Sequence, residues 1–154
     1  MGFLRKLLVI GIIAAVLLAL AAFDYIRAQD TQIELVSISP ENVTADPNQP
    51  VIITLKVTKH GQLAAGDVVS ALVKGQGSLS GDKVKVAEDG TVTFKYYPYS
   101  YIPGVFEESD VTIEFRNISD SVFIAIQKKV PVTFHVSKPD SANGGMNMGD
   151  LFGD

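Results

Sequence analysis

The sequence has no cysteine, no tryptophan and only two histidines. Without cysteine there is no disulfide framework, no thiolate zinc site and no thiol catalysis, so any folded domain must be held by its apolar core alone. With His60 and His135 the sole imidazoles, a catalytic triad or a histidine-rich metal site needs a tertiary coincidence. His60 precedes Gly61 in an expected turn and His135 falls on an expected strand; both read as surface residues. Basic residues are few and scattered, 13 against 17 acidic for a net charge of -4. That disfavours nucleic acid, because neutralising phosphates takes a concentrated basic patch. A phosphate-cradling glycine loop is missing too, since Gly75-Gln76-Gly77 lacks the lysine and helix that would follow it.

What is present begins with a run of 17 uncharged residues, Leu7 to Phe23, behind Arg5 and Lys6 and ahead of Asp24. As a helix it extends about 26 Å at roughly 1.5 Å per residue, nearly the thickness of a bilayer's hydrocarbon core. Snorkelling of Arg5 and Lys6, with Tyr25 at the opposite interface, closes the gap. Leu7, Ile12, Leu17 and Phe23 mark this expected anchor. The charge asymmetry puts residues 1–6 in the cytoplasm, a transmembrane helix over 7–26, and the rest outside. A secretory signal peptide shares this order of basic, apolar and small residues, and Ala19-Leu20-Ala21 is an acceptable cleavage pattern. The run is longer than the usual signal core, which favours an anchor. A type IV pilin leader does not fit, because the glutamate shortly after Gly2 is missing.

After an expected linker over 27–31 the apolar pattern switches to a period of two, the mark of strands with one buried face. Eight candidates follow: Ile33 to Ile38, Val51 to Thr58, Val68 to Val73, Val84 to Val86, Thr91 to Tyr96, Val111 to Phe115, Val122 to Ile126 and Val130 to Val136. Asp89-Gly90 is an expected turn, and Asn117-Ile118-Ser119-Asp120 an expected hairpin. Pro131 places the start of the last strand at an edge or a bulge. Short strands at this spacing, without an amphipathic helix among them, predict an all-β antiparallel sandwich over 32–138. The chain of 154 residues suits one such core plus a helix and a tail. The polar, glycine-rich stretch 139–154 buries too little to offset its ordering entropy and is expected to be a disordered tail.

From Pro50 to Val136 the order of elements resembles the bacterial Ig-like group 1 domain of intimin and invasin adhesins. The resemblance is carried by Val51-Ile52-Ile53-Thr54-Leu55-Lys56-Val57, by Gly61 through Ala65-Gly66-Asp67-Val68-Val69, and by Gly77-Ser78-Leu79-Ser80-Gly81. Glu88-Asp89-Gly90-Thr91-Val92-Thr93-Phe94 and Val132-Thr133-Phe134-His135-Val136 complete it. The chain departs from the family in a longer aromatic segment between Tyr96 and Asp110 and in having one module. The resemblance implies an immunoglobulin-like sandwich serving as a structural or binding module at a cell surface, and carries over no catalytic or cofactor residue.

Tyr96, Tyr97, Tyr99 and Tyr101 lie within six residues, restrained by Pro98 and Pro103. Tyrosine gives large amphipathic contact area at low entropic cost, so Tyr97, Tyr99, Tyr101 and Phe106 are the expected partner-binding residues. The plainer reading is that half of these rings fill the sandwich end and the rest shield a strand edge. Glu107, Glu108 and Asp110 lack the spacing of a dedicated calcium loop and read as solvated, and Met146 and Met148 make a poor copper site. Asn42-Val43-Thr44 and Asn117-Ile118-Ser119 match glycosylation acceptors. No nucleophile, base and orienting group can be named together, so a non-enzymatic protein without metal or cofactor is expected. It would be single-pass in the plasma membrane, contacting another membrane or surface protein. A secreted filament or surface-lattice subunit pairing through Gln32 to Ile38 is the alternative, and a glycan-binding adhesion module the next.

Overall fold

A long helix, α1 (Gly2–Gln29), opens the chain. Its span from Leu7 to Phe23 consists of helix-tolerant residues that are apolar on every side. Leu7, Ile12, Leu17 and Phe23 are each about half exposed, and of these Phe23, at the end of the run, meets the ring of Phe123. These observations come from a computed structural model, which describes residues 2–140; the expected tail lies almost wholly outside them. The most apolar window of α1 has a mean hydropathy of 2.7, long and apolar enough to cross a membrane. The helix does not stop at the charge. Asp24-Tyr25-Ile26-Arg27-Ala28-Gln29 contains no helix breaker, so the expected linker over 27–31 shrinks to Asp30, whose amide bonds back to Arg27 O at 3.3 Å.

The strands are β1 (Thr31–Ser39), β2 (Val43–Thr44), β3 (Val51–Lys59), β4 (Gln62–Leu63), β5 (Val68–Lys74), β6 (Ser78–Leu79), β7 (Lys83–Lys85), β8 (Thr91–Tyr97), β9 (Ser109–Asn117) and β10 (Val130–Ser137). They form two sheets, β1-β3-β8-β6 with β4 beside β3, and β2-β10-β9-β5-β7. Pairing is antiparallel except between β2 and β10. The first sheet turns Ile33, Val51, Ile53, Leu55, Val57, Val92, Phe94 and Tyr96 inward; the second answers with Val69, Ala71, Val111, Ile113, Phe115, Val132 and Val136. Phe94 meets Phe115 at 5.2 Å and Tyr96 meets Phe134 edge-on at 5.4 Å, stitching the layers together. At one end lie the helix junction, the start of β1 and the end of β9. The opposite end, roughly 30 Å away at about 3.3 Å per residue of β1, gathers the loops after β1 and β8.

Two local expectations are corrected. Val122 to Ile126 alternates like a strand yet is part of the irregular connection 118–129 between β9 and β10, because a carboxylate of α1 takes the amides that a ladder would use. The hairpin expected at Asn117 to Asp120, between Val111–Phe115 and Val122–Ile126, therefore does not form, and β9 pairs instead with β10 beyond the connection. Pro131 sits where expected: β2 covers only Val136 and Ser137, leaving that flank of β10 an edge at Pro131. On β1 a bulge between Leu35 and Ser37 interrupts the register and blunts the edge that strand pairing with a neighbour would need.

Candidate functional site

The tyrosine group lies at the end of the sandwich away from the helix, and the fold divides it. On β8 the period of two sends Tyr96 inward, where it is fully buried and its hydroxyl donates to Gln76 O at 2.7 Å. Burial, and secondarily Tyr99, push that hydroxyl up to about 12. Tyr99 is buried too; its hydroxyl donates to Glu107 O at 2.5 Å and pairs with Ser109 Oγ at 2.9 Å. Of the expected contact residues Tyr99 is thus a core residue, because its ring closes the sandwich end. Tyr97 and Tyr101 remain half-buried, with Lys95 Nζ 5.3 Å from one ring centre and Lys138 Nζ 5.5 Å from the other. They sit on different flanks: Tyr97 pairs with Ser78 of β6, whereas Tyr101, in the loop after β8, bonds through its N to Ala45 O beside β2.

Phe106 leans on Tyr99 at 6.4 Å and closes a tight turn with Ile102, whose amide bonds to Phe106 O at 2.9 Å. Gly104 takes a positive φ of 74° there, which glycine adopts cheaply, and its amide donates to Glu107 Oε1 at 3.0 Å. The turn holds Ile102, Val105 and Phe106 out at 43%, 66% and 40% exposure. Beside it runs a groove of about 360 Å³ lined by Ala45, Asp46, Asn48, Ser100, Tyr101 and Pro139. The turn sets Ile102 and Val105 beside the expected Tyr101 and Phe106; an aliphatic pair around Pro103-Gly104, a turn signal, marks it in the sequence.

The acidic trio disperses. Glu107 caps Gly104, Glu108 accepts from Lys138 N at 3.0 Å, and Asp110 pairs with His135 Nδ1 at 2.9 Å. Among the described residues no three His, Cys, Asp or Glu gather as metal ligands. His60 is exposed near Asp30 at 3.4 Å. Asn117 is buried, its amide donating to Asp67 Oδ2 at 2.6 Å, so in the folded chain it is no glycosylation acceptor.

The helix junction is the second organised region. Asp24, wholly buried, accepts from the amides of Val122, Phe123 and Ile124 at 3.0, 2.8 and 2.5 Å. Phe23 meets Phe123 edge-on at 5.9 Å, and Ala28 is buried at the sandwich edge. Next to them Asp120, 1% exposed, accepts from Thr31 Oγ1 at 2.9 Å and Lys59 Nζ at 2.7 Å. Lys59 reaches on to Asp67 at 4.0 Å. These charge-assisted bonds tie the end of α1, β1, β3 and the loop after β9 into one block.

No protein-family model matches the chain, and neither does any curated protein. Among solved structures it is similar to the D00-D0 domain of intimin, at 14% identity and a TM-score of 0.53, and to the D0-D1 domain of intimin, at 13% and 0.51. Each match covers 70% of this chain, and 48% and 49% of the intimin fragments respectively. The chain therefore spans about half the length of the fragments it matches. The fold is an immunoglobulin-like β-sandwich behind an apolar helix.

Proposed function

We propose that the chain is a non-enzymatic, membrane-anchored, extracytoplasmic Ig-like module of the intimin and invasin type, acting as a structural or protein-interaction subunit of the cell envelope. The observation that carries this reading is the junction: a helix exposed and apolar on all sides passes, through one residue and the Asp24 carboxylate, into a sandwich with an ordered apolar turn at its far end. A helix of that composition is stable beside lipid, with its N-terminus on the cytoplasmic side by its flanking charges. The turn formed by Ile102, Val105 and Phe106, with Tyr101 and the groove beside it, is the partner-binding surface; such an apolar cluster with a polar rim suits another membrane or surface protein. Tyr97 faces out from the other flank and belongs to a separate contact.

A glycan platform is less well supported, since Tyr99 has its ring in the core. The bulged edge of β1 likewise weighs against a filament built through Gln32 to Ile38. The test is native co-purification from detergent-solubilised membranes with Ile102, Val105 and Phe106 replaced by serine. Loss of a partner that the parent chain retains, at an unchanged melting temperature, is the expected result. Full partner recovery counts against the surface, and a native mass lacking the first twenty or so residues counts against the anchor.

A further inference from the structure

The connection 118–129 carries two consecutive large apolar residues, Val122 at 54% and Phe123 at 56% exposure, beside the helix. Phe123 touches Phe23, the last residue of the uncharged run, so it lies at the level where that run ends. Its backbone is ready for a poorly hydrated place: the amides of Val122, Phe123 and Ile124 are all bonded to Asp24, and Ile126 N bonds to Ile124 O at 2.6 Å. Ser121 Oγ donates to Ile126 O at 3.2 Å, and Gln127 Nε2 donates to Ser121 Oγ at 2.6 Å. A segment beside hydrocarbon must satisfy its polar groups internally, and here the amides of Val122, Phe123, Ile124 and Ile126 are all bonded within the protein. Basic groups flank it. Lys128 and Lys129 are exposed on the same loop, with Lys129 also 3.8 Å from Glu114, and the Arg27 guanidinium stands 5.7 Å over the Phe23 ring.

We infer that Val122 and Phe123 insert into the interfacial layer of the bilayer as a second membrane contact beside α1, with Arg27, Lys128 and Lys129 toward the lipid phosphates. The occupant follows from continuity with the helix's apolar surface, and the inference rests on the anchor reading given above.

Because the chain has no tryptophan, single tryptophans report depth without background. The full chain is reconstituted in phosphatidylcholine vesicles containing some phosphatidylglycerol, with acyl chains brominated as quenchers. The variants are Phe23→Trp, Phe123→Trp, Val105→Trp and Val122→Trp, the last of which leaves the Phe23–Phe123 contact in place. Quenching at position 122 or 123 comparable with that at 23, with Val105→Trp unquenched, is the expected result. Quenching at 23 with none at 122 and 123 overturns the loop insertion and leaves the anchor standing. An unquenched Phe23→Trp overturns the anchor and the inference together.

Discussion

Replacing Gly77 by alanine should be among the most damaging single-methyl additions in the sandwich. Gly77 has φ +91°, and a Cβ built there falls 2.3 Å from Tyr96 Oη and 2.5 and 2.6 Å from two of its ring carbons. Tyr96 cannot easily give way: it is fully buried, packs on Phe134, and donates to Gln76 O. Overpacking costs about 1–3 kcal/mol, a left-handed backbone on a non-glycine residue about 1–2 kcal/mol, and the hydroxyl's lost bond about 1 kcal/mol. These overlap, because moving the ring relieves the clash by sacrificing the bond, so the expected loss is about 3 kcal/mol. For a sandwich of this size that is a fall of roughly 10–15 °C in Tm. Thermal unfolding of the full chain in detergent, followed by circular dichroism, measures it. Tyr96→Phe alone should cost about 1 kcal/mol and relieve only part of the Gly77→Ala clash, since the ring carbons remain. A Gly77→Ala chain melting within about 2 °C of the parent, well below the expected shift, would refute the seat assigned to Tyr96.

Removing Asp120 by alanine leaves Lys59 and Thr31 without their buried acceptor and should cost about 3 kcal/mol by denaturant unfolding, whereas the pair Lys59→Met with Asp120→Leu should recover most of it; equal losses would contradict a buried pair. For Tyr96, burial raises the hydroxyl from 10.0 to about 12, so the folded state holds that proton more tightly than the unfolded chain does. Its contribution is fully present below pH 10 and is lost as pH rises through about 12; an alkaline unfolding curve unchanged by Tyr96→Phe would rule this out. Asp24→Ala should speed amide exchange at Val122, Phe123 and Ile124 while leaving β3 protected, and unaltered exchange at all three would show that the carboxylate does not hold the loop.

Most of the sandwich is legible because its signal is local. Ile53, Leu55 and Val57, then Val92, Phe94 and Tyr96, then Val111, Ile113 and Phe115 alternate with polar neighbours, and all face the core. The same parity, continued from Val92 and Phe94, assigns Tyr96 inward. Tyr99 escapes it because β8 ends at Tyr97, and the turn beyond decides where the ring goes. Val122 to Ile126 has strand periodicity but is claimed by Asp24, about a hundred positions upstream, and no window of sequence contains both partners. At the end of α1 a charge marks where the uncharged span stops, whereas a helix stops only where a breaker or a cap intervenes. The bulge at β1 and the short strands β2 and β6 arise from pairing with segments elsewhere in the chain, and β4 is a two-residue arm folded back on the end of β3; none leaves a periodic trace.

The junction around Asp24 and Asp30 also has a mechanical consequence. With one residue between helix and strand, and a carboxylate pinned to the neighbouring loop, turning α1 about its long axis turns the β body by the same angle. At 3.6 residues per turn each helical position is worth about 100° of azimuth. If α1 is held in a bilayer, as proposed, the compass direction in which Ile102, Val105 and Phe106 look along its surface is set by how α1 sits among its lipid or protein neighbours. A companion helix gripping α1 could steer what the distant turn meets without touching it.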